Sequence, residues 1–363
     1  MKIAVISTPV FPCPPLGYSG LEMLAWQRAE GLAKKGHEVT LFAPEGSRCD
    51  FATLFPIGPP GTWDERTCYS KYWEELLKFD AIIDETWNKW SYVLKAEGRL
   101  KAPVLGVCHA PVDTMYKALP PVERPCFVAI SKDQANHFHA LFNREAKVAY
   151  NGVDLDYYKP MEGVKRSSRF LFLARFSTIK GPDLAIEACR QAGVGLDLVG
   201  DTSITNEPEY LEQCKKLCDG VRGEFRPSVG RLIPEPEIIM QGPATRAECV
   251  WWFSQAHCLL HPNQRFREPF GLAPVEAMAC GCPVIAWDNG AMRETVGANK
   301  EVGALVKSLD EMINVINNNK NTSDVERMYV SGRCREWVGQ FSVQRMIERY
   351  EELCREAVET GGW

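Results

Sequence analysis

Short apolar runs alternate with amphipathic helical runs along this chain, and the whole pattern occurs twice. The runs Lys2–Ser7, Glu38–Ala43, Ala81–Asp84, Val104–His109, Phe127–Ser131 and Lys147–Tyr150 have strand length and strand composition. A helical pattern over Leu21–Lys35 precedes the second run, and Gly36 closes it as a left-handed cap. Strands that are apolar on both faces and joined by helices pair as a parallel sheet covered on both sides. A turn at Asn151-Gly-Val-Asp154 and a polar stretch, Lys159–Ser168, then interrupt the series. It restarts with Arg169–Ala174, Gly195–Val199, Glu237–Met240, Cys258–His261 and Pro283–Trp287. With 363 residues the chain suits two domains. The expected fold class is therefore α/β: two doubly wound, Rossmann-like domains. Ligands in such sheets bind outside the carboxyl ends of the strands, so two facing domains would enclose a cleft.

The expected division is 1–160, 161–340 and a C-terminal helical piece, 341–363, able to pack back on the first domain. Asp324–Val358 reads as helical and charged, with Trp337, Met346, Ile347 and Tyr350 as its apolar stripe. Residues 220–236, with Gly220, Gly223, Pro227, Gly230, Pro234 and Pro236, read as a loop insertion ahead of a strand.

Composition excludes several classes. The chain is 45% hydrophobic and 25% charged, ordinary for a globular protein, and its net charge of −5 argues against a nucleic-acid partner held by bulk electrostatics. Fourteen cysteines are scattered, without paired Cys/His spacings for zinc, which points to reduced thiols. Met1–Ser7 is too short for a secretory leader and no apolar stretch approaches a membrane span, so the expected compartment is the cytoplasm, with no integral membrane segment.

The chemistry-bearing residues concentrate in the second half. In Arg267-Glu-Pro-Phe-Gly-Leu-Ala-Pro-Val-Glu276, Glu268 precedes a Pro-Phe-Gly turn and Glu276 lies in an apolar helical run. A helix start after glycine offers free N–H groups and a positive dipole end, suited to a phosphate or a polar sugar. Each carboxylate can accept a pair of hydroxyl hydrogen bonds. Upstream, in Phe170-Leu-Phe-Leu-Ala-Arg175-Phe-Ser-Thr-Ile-Lys180-Gly181-Pro182, one cation closes a strand and another opens the next helix. Two such charges can neutralise a departing diphosphate.

Ala174-Arg175…Lys180-Gly181, followed by Glu268-Pro-Phe-Gly-Leu…Glu276-Ala-Met-Ala-Cys-Gly-Cys-Pro-Val-Ile-Ala, resembles glycosyltransferase family 4. Pro14-Pro-Leu-Gly-Tyr-Ser-Gly-Leu-Glu22, Gly36-His-Glu-Val-Thr-Leu-Phe, Phe127-Val-Ala-Ile-Ser131-Lys and Asn151-Gly-Val-Asp154 are similar to further landmarks of that family, so the resemblance covers about residues 1 to 306. It implies a GT-B fold and a retaining, metal-independent transferase that uses a nucleotide-sugar donor, by default UDP-glucose, and no cofactor. It also implies roles. Arg175 and Lys180 would hold the donor diphosphate, Glu276 the ribose hydroxyls and Glu268 hydroxyls of the transferred sugar. The N–H groups of Phe270, Gly271 and Leu272 would face sugar and phosphate. Gly20 would let the first domain's loop approach the diphosphate, and His109 would sit beside the anomeric centre or the sugar's 6-hydroxyl. Substituting Arg175 or Lys180 is expected to lower turnover and leave the fold intact.

The chain departs from the family pattern twice. Ser19 stands where the glycine loop usually has its first glycine, which needs a negative φ there. Asp80-Ala-Ile-Ile-Asp84-Glu-Thr lacks the histidine often found after that strand. The acceptor, a small molecule, a glycan or a lipid, is unspecified. Trp63, Tyr69, Tyr72, Trp73, Trp87, Trp90 and Tyr92 crowd one stretch and read either as an acceptor platform or as packing. A dinucleotide-dependent oxidoreductase would carry Gly-x-Gly-x-x-Gly after the first strand, whereas this chain has Thr8-Pro-Val-Phe-Pro-Cys-Pro-Pro. A GT-B epimerase or phosphorylase and a non-catalytic nucleotide-sugar binder are the alternatives that share the fold.

Overall fold

Contacts in the computed structural model divide the chain into two units, Met1–Gly152 with Phe341–Trp363, and Val153–Gln340. The structure describes residues 1–17, 19–115, 122, 124–202, 207–222, 237–297, 299 and 301–363.

The first unit is built on strands β1 (Lys2–Ile6), β2 (Glu38–Ala43), β3 (Thr53–Pro56), β4 (Ala81–Asp84), β5 (Val104–Cys108), β6 (Phe127–Ala129) and β7 (Lys147–Val148). They form one seven-stranded sheet in the order β3-β2-β1-β4-β5-β6-β7, every pair parallel. Its central strands are buried apart from Lys2 at the start of β1, as apolar runs without alternation require. The helix Gly20–Lys34 ends in Gly36 at φ +89°, whose N–H donates to the Ala33 carbonyl at 2.9 Å. The final helix, Val343–Thr360, packs on it where Gly31 leaves room: a Cβ there would lie 2.0 Å from Ile347 Cδ1. Gly152 likewise abuts the start of that helix, with a Cβ position 2.6 Å from Val343 Cα.

The second unit repeats the plan with β8 (Phe170–Leu173), β9 (Leu196–Val199), β10 (Gly220–Val221), β11 (Ile238–Gly242), β12 (Leu259–His261), β13 (Val284–Trp287) and β14 (Gly303–Val306). The order is β10-β11-β9-β8-β12-β13-β14, again all parallel. Of the loop read over 220–236, Gly220–Val221 form an edge strand, and 223–236 lie outside the described residues.

The charged C-terminal stretch, read as helical over Asp324–Val358, does not carry one continuous apolar stripe. It is two helices, Asp324–Val338 and Val343–Thr360, separated by a 3-10 turn at Gly339–Phe341. The Ser342 hydroxyl accepts from the Arg345 N–H at 3.3 Å and starts the second helix afresh. The supposed stripe is therefore shared out. Trp337 belongs to the second unit, where its indole N–H donates to the Thr295 carbonyl at 2.8 Å, while Met346, Ile347 and Tyr350 are buried in the first.

All fourteen cysteines are free thiols. Among the described residues no helix is long and apolar enough to cross a membrane.

Candidate active site

The carboxyl edge of the second sheet gathers the charged residues. Where the chain leaves β8, Gly200 at the end of β9 lies against it: Gly200 sits at φ +152°, and a Cβ there would come within 1.9 Å of the Ala174 carbonyl oxygen. The Phe176 N–H donates to the Asp201 carbonyl at 2.7 Å and fixes the segment that carries Arg175. Arg175 is half-buried, and no described residue bonds to its guanidinium. Six residues after Arg175, Gly181 at φ +68° opens the helix Pro182–Ala192; a Cβ on it would meet the Pro262 carbonyl oxygen at 2.7 Å. Only glycine tolerates both the conformation and the approach, and this turn presents Lys180.

Lys180 meets Glu268 directly, Nζ to Oε2 at 2.7 Å, with both side chains nearly buried. Asn263 Nδ2 donates to the same oxygen at 3.1 Å, and His261 Nε2 faces it at 3.4 Å. Lys180 Nζ also lies 5.0 Å above the Phe266 ring, a favourable cation–π distance. The Glu268 backbone is pinned as well. The Ala291 N–H donates to its carbonyl at 2.8 Å, and Gly290, at φ +64°, approaches so closely that a Cβ would lie 2.3 Å from that oxygen. Burial alone would raise the Glu268 pKa; Lys180 and His261 outweigh it and hold the carboxyl well below the ordinary carboxylate range. Burial pushes His261 down, and Glu268 offsets that only in part, so the imidazole is neutral at pH 7.

Beyond Glu268 the chain enters the helix Leu272–Ala279 through Gly271 at φ +84°, with no side-chain cap. Its first-turn N–H groups are therefore available to a ligand. Phe270 is buried and Leu272 half-buried at this turn. Glu276 lies on the same helix, 7% exposed. Its charge is felt by Tyr158, which burial first and Glu276 second push well above the ordinary tyrosine range. Tyr158 in turn accepts from Arg246 Nε at 3.2 Å. The second unit thus brings Lys180 and Glu268 into contact, with Arg175 on the loop after β8, Gly271 at the helix start after β12 and Glu276 further along that helix. His261 and Asn263, which touch Glu268, escaped the sequence reading; the available signal was a polar pair closing the apolar strand β12.

The remaining two candidates lie in the first unit. Gly20 is the first residue of a helix, and Ser19 before it is extended at φ −141°, so the serine sits without strain. The Ser19 hydroxyl donates to Glu22, whose other oxygen accepts from Thr8 Oγ1 at 2.6 Å. His109 follows β5 with its side chain buried, and its Nε2 lies 3.0 Å from Glu85 Oε2. Arg28 pairs with the same Glu85 oxygen, reaches Asn151 Oδ1 at 2.9 Å and lies 4.4 Å over the Tyr350 ring. Glu85, which burial would raise, is held below its ordinary range by Arg28 and His109, and burial depresses His109. The aromatic segment divides: Tyr72 and Tyr92 are core, whereas Trp63, 56% exposed, stacks on Trp87 with centroids 5.6 Å apart.

Among the described residues no group of three or more His, Cys, Asp or Glu could hold a metal ion. Two family models match successive parts of the chain: Glycosyltransferase Family 4 over residues 18–157 and Glycosyl transferases group 1 over residues 161–324. The chain belongs to the family 4 glycosyltransferases. Similar curated proteins include the D-inositol 3-phosphate glycosyltransferase of Frankia alni, 25% identical, the match covering 64% of this chain and 63% of that protein. The alpha-1,3/1,6-mannosyltransferase ALG2 of Rhizomucor pusillus is also 25% identical, over 81% of this chain and 79% of its own. Among solved structures, the sucrose-phosphate synthase of Thermosynechococcus elongatus superposes with a TM-score of 0.75 at 19% identity, covering 99% of this chain and 100% of that one. Anabaena HepE, solved with UDP-glucose, gives 0.72 at 20% identity, covering 98% and 100%. At these identities the structural likeness establishes the GT-B fold.

Proposed function

We propose that this family 4 glycosyltransferase moves a hexose from a nucleotide-sugar, UDP-glucose by default, to an acceptor hydroxyl, with retention of configuration and without a metal ion. The observation that carries the reading is the meeting of Lys180 and Glu268 at 2.7 Å, beside the uncapped helix start at Gly271. A cation that can stay with a phosphate and a carboxylate that can accept sugar hydroxyls stand within one ligand's length. HepE, of the same fold, was solved with UDP-glucose, which supports that donor.

In this reading Arg175 and Lys180 contact the diphosphate, Glu276 accepts from the ribose hydroxyls and Glu268 from the sugar hydroxyls. The helix N–H groups near Gly271 add to the electrostatic stabilisation of the leaving group. The bond from the anomeric carbon to the phosphate oxygen breaks and the acceptor oxygen bonds to the same face. The departing phosphate oxygen takes the acceptor's proton. Glu268 and Glu276 bind hydroxyls and do not act as a glycosidase acid–nucleophile pair. A donor screen by thermal shift, followed by mass spectrometry of products from labelled UDP-glucose or GDP-mannose with a lysate of candidate acceptors, tests this. A sugar-bearing product with free nucleoside diphosphate is expected. Binding without product would identify a non-catalytic binder, and an altered nucleotide-sugar an epimerase.

A further inference from the structure

Glu268 is held asymmetrically. Oε2 is met by Lys180 Nζ at 2.7 Å, Asn263 Nδ2 at 3.1 Å and His261 Nε2 at 3.4 Å, whereas no described residue bonds to Oε1. Asn263 is fully buried and His261 is 5% exposed. His261 Nε2 has no hydrogen bond of ordinary geometry; it is a buried polar atom aimed at the Glu268 carboxylate. An ionised carboxylate only accepts, so the groups facing it must be N–H donors. That fixes the Asn263 amide with its NH2 toward Glu268, and the neutral His261 as the tautomer carrying its proton on Nε2. Together with the backbone clamp from Gly290 and Ala291, these contacts set the torsion of the carboxylate.

We propose that His261 and Asn263 are positioning residues of the donor site: with Lys180 they occupy Oε2 and so present Oε1 as the oxygen that accepts the hydroxyls of the transferred sugar. This rests on the reading of Glu268 as the sugar ligand. It makes the two residues determinants of how far the protein prefers a nucleotide-sugar to the bare nucleoside diphosphate. Neither needs to touch the nucleotide, because Arg175 and Lys180 already supply the diphosphate contacts. A carboxylate free to rotate loses the sugar contact and leaves the diphosphate contacts in place.

The test is isothermal titration of UDP and UDP-glucose, with GDP and GDP-mannose in parallel, into the full chain and the variants H261F, H261Q, N263A and E268Q. H261F and N263A are expected to weaken nucleotide-sugar binding about five- to tenfold, the net worth of one ordinary intramolecular polar contact. Binding of the bare diphosphate should change by less than about twofold, within the scatter of unrelated surface substitutions. H261Q keeps an N–H donor and should restore most of the loss. Equal weakening of diphosphate and nucleotide-sugar in H261F and N263A would show a merely structural role and overturn the proposal, as would unchanged binding of both. If H261F does not fold, N263A and H261Q decide. E268Q separates the two levels: if it leaves the preference for nucleotide-sugar intact, the sugar role of Glu268 falls. If it abolishes the preference while H261F and N263A do not alter it, only the positioning role falls.

Discussion

Replacing Arg175 and Lys180 by alanine should cost similar activity and very different stability. Lys180 is the ion-pair partner of a buried carboxylate, and its removal leaves Glu268 charged, 8% exposed and held only by Asn263 and His261. Breaking a buried pair costs roughly 3–5 kcal/mol, and the surviving Asn263 hydrogen bond keeps the loss near the lower end, about 3 kcal/mol. At about 2–4 °C per kcal/mol for a domain of this size, K180A should melt roughly 6–12 °C below wild type. Arg175 has no described partner, so R175A should change stability by less than about 0.5 kcal/mol. Both variants lose a positive charge at the leaving diphosphate and should drop kcat by about 10²–10³. Calorimetric melting and initial rates of nucleoside diphosphate release, on the same preparations, read the two effects separately. The double variant K180A/E268Q should recover much of the lost melting temperature, because it removes the stranded charge as well. An unchanged melting temperature in K180A would refute the ion-pair argument, and wild-type turnover in R175A would refute the diphosphate role. The sequence-based expectation that both substitutions spare the fold is thus kept for Arg175 alone.

Three further outcomes follow from the geometry. Gly290→Ala should destabilise by roughly 2 kcal/mol or more, since its Cβ would fall 2.3 Å from the Glu268 carbonyl oxygen at a φ of +64°; a melting curve like wild type would count against the clamp. His109 and His261 both stay neutral in the folded chain below their ordinary value of 6.5. The unfolded chain takes up protons there that the native chain does not, so stability should fall as pH drops below about 6.5, by up to about 1.4 kcal/mol per pH unit for each histidine. Denaturant titrations between pH 7 and 5 should show this slope, reduced in H109F and in H261F. Finally, if Arg175 and Lys180 serve at the diphosphate as proposed, transfer activity should survive exhaustive treatment with a chelator; loss of activity restored by a divalent cation would contradict this.

The parts of the fold that were legible in the sequence are those where burial leaves no choice. The strands around β1, β4, β5 and β8 read as apolar runs because such buried parallel strands face no water on either side. β3 and β14 were missed because they are edge strands, largely half-exposed, and carry no such run. The apolar stripe was read across the break at Gly339–Phe341 because charged helices on either side share one composition; the signal against it was the Ser342 cap. In the candidate site, Lys180, Glu268, Gly271 and Glu276 were legible because glycine-opened helix starts impose local spacing. The contact of Lys180 with Glu268 spans 88 positions and that of Arg28 with Glu85 spans 57. Such pairs are set by the order of strands in the sheet, which spacing along the chain does not encode.

The central claim is that the second unit's Arg175–Lys180–Glu268–Glu276 constellation is a nucleotide-sugar site. Hydrogen–deuterium exchange with and without saturating UDP-glucose tests it most directly. Protection is expected in peptides spanning 175–182 and 266–277, including the N–H groups of Phe270, Gly271 and Leu272, and its loss in R175A. Saturable binding with no protection in either segment would contradict it.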